Sequence, residues 1–298
     1  MISKMGKIRY HLPGLFEFYE FYKVFLPLFR EHREFFYDWC DIGSIYGAPA
    51  DCLWGGGRVG FGDNNAEDVA ELMGEYDISS RLTFSNSLLT EEHLSDRKCN
   101  RLLEQFNGDN GIIIVSDILL DYIKERYPSY YFVSSTTKVI TDFNGLTDEL
   151  NREDYRYVVP DFRLNIRIDE LDKLSDIQKS KVEFLCNECC SFSCADRKAC
   201  YENVSRKSLG ESVADFACKS PNASEGYVFS KAMKNKGFIG VKDILDTYKP
   251  MGFSEFKIEG RSLGSAILLE FILYYMTKPE YQLNVREHIY LDASLDLF

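Results

Sequence analysis

Cysteine is the residue that could do the most chemistry in this chain. Five of its nine cysteines, Cys186, Cys189, Cys190, Cys194 and Cys200, fall within 15 residues, and Cys218 follows. Crowded thiols can form a disulfide knot, a zinc site or an iron–sulfur centre. The opening residues Met1-Ile2-Ser3-Lys4-Met5-Gly6-Lys7 lack the apolar core and small-residue cleavage site of an export signal, so a cytoplasmic location is expected. Disulfides are rare in that compartment, a chain of 298 residues does not depend on them, and an odd count leaves one thiol over. Zinc favours paired close ligands, often with histidine. Cys190-x3-Cys194 offers one such pair but no second, and His11, His32, His93 and His288 all lie far away in sequence. Unevenly spaced thiolates suit an iron–sulfur centre better, with zinc as the alternative. Cys52 and Cys99 are expected to be small buried apolar residues.

A second group of reactive types is Lys257-Ile258-Glu259-Gly260-Arg261. Strand alternation puts Lys257 and Glu259 on one face, where they could satisfy each other's charge. Gly260 would let the chain turn, and Arg261 would present a planar fork suited to a carboxylate or phosphate. The competing reading is a Lys–Glu–Arg network that only closes the architecture.

These residues need elements to position them. Strand-like runs cover residues 39–45, 81–84, 112–115, 130–133, 155–159, 182–185, 238–239 and 253–258. Helical patterns separate them, including 65–74 after the cap-like pair Asp63-Asn64, 90–106, 118–126, 168–174 and 241–248. Alternation of this kind predicts parallel β/α units, and eight of them predict one (β/α)8 TIM-type barrel spanning residues 1–298. An open doubly wound sheet is the rival. The cysteine-rich segment, residues 186–226, would be an insertion after a late strand. Arg58 (in the glycine-rich loop 54–62), Asn86, Ser134, Asp161, Asn187, Glu259 and Arg261 all fall just after candidate strands, and a barrel would gather them at one mouth.

The segment Asn187-Glu188-x-Cys190-x3-Cys194-x2-Arg197-x2-Cys200-Tyr201, followed roughly sixty residues later by Lys257-Ile258-Glu259-Gly260-Arg261, resembles the collagenase-like peptidase family. That family includes iron–sulfur proteins of oxygen-independent ubiquinone and RNA hydroxylation. The resemblance covers the C-terminal third well and the N-terminal half only through Tyr46-Gly47 and Gly56-Gly57-Arg58, as for a divergent member. It implies a barrel holding a [4Fe–4S] cluster through four cysteines. By the match these are Cys190, Cys194, Cys200 (at a position often occupied by histidine) and Cys218, with Cys186 and Cys40 in reserve at strand ends. A polar pocket beside the cluster would comprise Arg58, Asn86, Asn187, Glu188 and Arg261 for binding, with Lys257 and Glu259 catalytic.

Composition sets further bounds. With 35 basic and 47 acidic residues the formal charge is −12, which excludes a broad nucleic-acid surface. The apolar runs 15–29 and 263–276 are interrupted by charge or too short to span a bilayer, and are expected to pack as helices on the core. No His-Glu-x-x-His occurs. The expected partners are a small or anionic substrate, together with an electron donor or other protein. An oxidoreductase-type activity, a peptidase-like hydrolase and a noncatalytic scaffold with a structural metal site are the three functional readings.

Overall fold

The computed structural model describes residues 6–59, 61–62, 65–220, 223 and 226–293. Its elements alternate: β1 (Ile8–Pro13), α1 (Tyr19–Glu31), β2 (Cys40–Gly47), α2 (Ala66–Glu75), β3 (Ser80–Phe84), α3 (Arg97–Gln105), β4 (Gly111–Ile114), α4 (Asp117–Arg126) and β5 (Tyr131–Ser134). They continue with α5 (Phe143–Asn151), β6 (Tyr155–Val158), α6 (Ile168–Leu171), α7 (Asp176–Lys181), β7 (Glu183–Leu185), α8 (Arg197–Ser208), α9 (Phe229–Ala232), α10 (Val241–Asp243), β8 (Glu255–Lys257), α11 (Ser265–Tyr275) and α12 (Gln282–Ala293). The strands form one sheet in the order β6-β5-β4-β3-β2-β1-β8-β7, and every pair is parallel. A parallel bridge from Val158 to Val182 joins the two edges. The result is the expected (β/α)8 barrel, nearly closed.

Two strand assignments change. Residues 238–239 are not a strand; Ile239 only donates its N–H to Cys186 O, 2.9 Å away. The missing strand is β1, Ile-Arg-Tyr-His-Leu-Pro, central between β2 and β8. Its outward residues Ile8, Tyr10 and Leu12 join the main core between sheet and helices. Its inward residues are Arg9 and His11, an unusual filling for a barrel. Asp63 and Asn64 lie outside the described residues; α2 is capped by Asn65, whose side chain accepts from Glu67 N. The stretch 90–106 divides into a 3-10 turn, Glu91–Ser95, and α3.

The barrel interior has two layers. One is apolar and aromatic, built from Tyr46, Ile113, Tyr131, Val133, Val159 and Leu185. The other is ionic. His11 Nε2 lies 3.0 Å from Glu255 Oε2 and 3.5 Å from Glu183 Oε2, and its Nδ1 lies 2.8 Å from Ser44 Oγ. Arg81 donates to Glu183 at 2.5 Å and to Tyr131 OH at 2.9 Å, and Arg9 pairs with Glu255. Burial opposes ionisation of both glutamates, but Arg81 and His11 hold Glu183 at about 2, and His11 and Arg9 do the same for Glu255. Outside, α1 buries Phe21, Tyr22, Phe25 and Phe29 and packs on α12, while α11 is buried along most of its length. No helix among the described residues is long and apolar enough to cross a membrane.

Candidate active site

The C-terminal strand ends carry the site. After β7 the chain alternates: Leu185 and Asn187 point inward, whereas Cys186 points out into the core beneath Tyr10, Tyr248 and Tyr275. Burial pushes the Cys186 thiol well up. Cys40 stands at the opposite end of the barrel, at the start of β2, with its thiol toward Met276 O and its pKa raised by burial to about 11. Neither reserve cysteine therefore faces the mouth. Cys52 and Cys99 are buried, as expected, and touch each other.

The cysteine-rich segment is held down by buried charge. Arg197 opens α8 and is 2% exposed. It donates to Glu188 Oε2, to Asp161 Oδ2 at 3.0 Å and to Tyr201 OH at 2.8 Å. Arg163 grips the other side of Asp161 at 2.6 Å and donates to Cys194 O at 2.8 Å. Asn235 donates to Cys190 O at 2.8 Å. Burial opposes ionisation of Glu188, but Arg197 and the Cys190 N–H hold its carboxyl below the usual range. Arg197, Arg163, Asn235 and Tyr201 were not expected as site residues. Arg197 and Tyr201 stood in the motif, whereas nothing local in sequence marks Arg163 and Asn235.

Cys190, Cys194 and Cys200 are partly exposed and Cys218 is exposed, all as free thiols. The Cys200 thiol is raised by burial and then by the proximity of Cys190, Cys218 and Cys194, with Arg58 opposing. The four expected ligands thus share one neighbourhood. Cys189, not in the expected set, contacts Cys190, and its thiol is pushed up by that hydrogen bond, by burial and by Glu259 and Glu188. The one set of three metal-type donors mutually within 4.8 Å among the described residues is Glu188, Cys189 and Glu259.

The other expected site residues divide by what they touch. Asn187 bridges the ends of β7 and β8: its amide donates to Glu259 O at 3.0 Å and accepts from Glu259 N at 2.7 Å. Asn86 likewise holds the loop after β2, donating to Leu53 O at 3.2 Å. Both amides position the mouth. Ser134 is committed to Glu149. Lys257 and Glu259 do not pair with each other. Lys257 Nζ lies 3.4 Å from Glu183 Oε1 and 3.4 Å from the centre of the Tyr46 ring. Burial pushes its ammonium down to about 7 against the pull of Glu183, with Arg81 and Arg261 adding repulsion. Glu259 meets Glu188 instead. Burial and that neighbouring carboxylate raise it to about 8, and its Oε2 is buried without a hydrogen-bond partner among the described residues.

Arg58 and Arg261 bring positive charge to the same place. Gly56 and Gly57 take φ of +73° and +68°, and a Cβ at Gly56 would meet Asn86 N at 3.0 Å, so this turn requires glycine. It lays the Arg58 guanidinium 3.6 Å over the Tyr201 ring and leaves Nη2 buried without a hydrogen-bond partner among the described residues. Arg261 donates to Thr83 Oγ1 at 3.3 Å, and Ser262 ties the turn to Glu17. Tyr201 also lines a cleft of about 250 Å³, together with Ser87, Thr137, Lys138 and Lys198.

No family model and no curated protein matches the chain. A solved structure of the U32 peptidase Mk0906 shares the barrel with a TM-score of 0.51, covering 87% of this chain and 94% of that one at 12% identity. At that identity the likeness establishes the fold, and the chain's structural neighbour is a member of the collagenase-like peptidase group.

Proposed function

We propose that this chain is a divergent member of that group and a cytoplasmic iron–sulfur protein acting in an oxygen-independent hydroxylation or related redox modification of a small anionic or carbonyl-bearing substrate. The observation that carries the reading is the shared neighbourhood of four free thiols, Cys190, Cys194, Cys200 and Cys218, beside the unpaired guanidinium edge of Arg58. The donor set fits the group: soft, partly exposed thiols under a buried Arg–carboxylate clamp. When bound, the cluster supplies one-electron chemistry, for which an electron donor or partner protein is required.

The chain's own residues do the rest. Arg58 and Arg261 receive an anionic or carbonyl oxygen through charge-assisted hydrogen bonds. Glu259 keeps its proton at neutral pH and can deliver it from the buried carboxyl pair. Lys257, partly neutral, can accept one, the Glu183 carboxylate stabilising the ammonium that forms. The cleft that Tyr201 lines has room for a small molecule.

A hydrolase reading finds less support. Ser44, His11 and Glu255 form a Ser–His–carboxylate chain by distance, but all three are buried inside the nearly closed barrel, where a substrate carbonyl has no approach.

The binding half is tested with inorganic phosphate and succinate as anion probes. Arg261→Lys retains charge and loses the fork, so affinity is expected to fall roughly 10- to 100-fold, the worth of one charged hydrogen bond, with fold and metal content unchanged. A strong loss of melting temperature with unaltered binding in the folded fraction assigns Arg261 to architecture instead.

A further inference from the structure

The cysteine pair that the proposed site does not use is Cys52 and Cys99, whose sulfurs are 3.4 Å apart. Both are buried, at 4% and 0% exposure. They come from segments 47 residues apart in sequence that are joined at more than this point. Lys98 pairs with Asp51 directly alongside, and Trp54 Nε1 donates to His93 O at 2.8 Å. Cys99 sits in the first turn of α3, its N–H accepted by Asp96, so one partner rests on a rigid element. Cys52 begins the turn that becomes Leu53-Trp54-Gly55-Gly56-Gly57-Arg58. That turn is anchored by Asn86 N to Trp54 O at 3.0 Å.

We propose that Cys52 and Cys99 are a redox-active dithiol, and that its disulfide cross-links the base of the Arg58 loop to α3. The sulfurs need to approach by only about 1.4 Å to reach bonding distance. The oxidant is a hydroperoxide: the two thiols give up two electrons and two protons, one S–S bond forms, and hydrogen peroxide takes both up as its O–O bond breaks to give two waters. The product closes a long loop of the unfolded chain, so oxidation stabilises the fold. It also pins the turn that delivers Arg58 to the mouth. The pair is separate from the cysteine-rich segment, and its chemistry does not require the cluster reading.

The test uses the full chain, purified under reducing anaerobic conditions and then exposed to hydrogen peroxide. Non-reducing peptide mapping is expected to yield a Cys52–Cys99 cross-linked peptide, with a melting temperature that rises and returns to its starting value on adding dithiothreitol. Cys99→Ala should lose both the cross-link and the rise. Wild-type protein needs no variant for the mapping, so a poorly folding substitution leaves the test intact. The proposal is overturned if both thiols stay free under excess peroxide. It is equally overturned if each is oxidised singly to sulfinate, or if Cys52 or Cys99 is found bonded to a cysteine of the segment 186–226.

Discussion

Arg197→Met removes the charge that holds the cysteine-rich segment onto the barrel. Arg197 is buried between two carboxylates, Glu188 and Asp161, and also donates to Tyr201. Removing one partner of a buried ion pair typically costs about 3–5 kcal/mol, because the other charge stays behind uncompensated. Two features place this case at the low end. Asp161 keeps Arg163, and Glu188 keeps the Cys190 N–H and can share a proton with Glu259. A loss of about 3 kcal/mol corresponds to a fall in Tm of roughly 5 °C for a chain of 298 residues, at about 2.1 cal/mol/K of unfolding entropy per residue. If the segment opens locally instead, the same energy appears as a roughly 150-fold faster hydrogen exchange over residues 186–208. Arg197→Lys reaches one carboxylate and should recover part of the loss. Calorimetry together with exchange mass spectrometry reads both routes. An Arg197→Met protein whose Tm and exchange match the wild type refutes the reasoning that this buried network, rather than the metal or apolar packing, fixes the segment.

Other expectations follow from the interior charges and the ligand set. Glu183 and Glu255 titrate at about 2 in the fold against 4.5 as ordinary carboxyls, so their contribution is full above pH 4.5 and is lost as pH falls toward 2; Glu183→Gln should flatten stability across that window. Lys257 titrates at about 7 against 10.5. From pH 7 to 10.5 the unfolded chain therefore holds a proton that the fold does not, and this residue makes stability rise with pH. Lys257→Met should remove that slope in denaturant titrations. Cys190→Ser or Cys194→Ser should abolish cluster absorption, whereas Cys52→Ala and Cys186→Ala should leave it, because the latter two thiols face the core.

Much of this was legible in the sequence, and the failures have physical reasons. Seven of the eight strands stood out because their runs are apolar and punctuated by turns. Strand β1 did not, because its inward positions, Arg9 and His11, are satisfied by Glu255 at the far end of the chain; no local window reveals that compensation. The same blindness misassigned the partner of Lys257. Alternation placed Glu259 on its face, but Glu183 of the adjacent strand β7 is nearer in the barrel. The concentration of cysteines after β7 was readable from the sequence. Its clamp was not, since Arg163 and Asn235 reach it from other loops. Cys186 and Cys40 were held in reserve as strand-end residues, whereas one residue of alternation turns Cys186 into the core and Cys40 lies at the wrong end of its strand.

The central claim is the metal centre, and one measurement bears on it most directly: an anaerobic absorption and EPR spectrum of the purified full chain, with iron, acid-labile sulfide and zinc counted on the same sample. The account predicts about four irons and four sulfides per chain, the complement of a [4Fe–4S] cluster, with charge-transfer absorption that Cys194→Ser removes. Stoichiometric zinc with neither iron nor sulfide would contradict it and leave a structural metal site in its place.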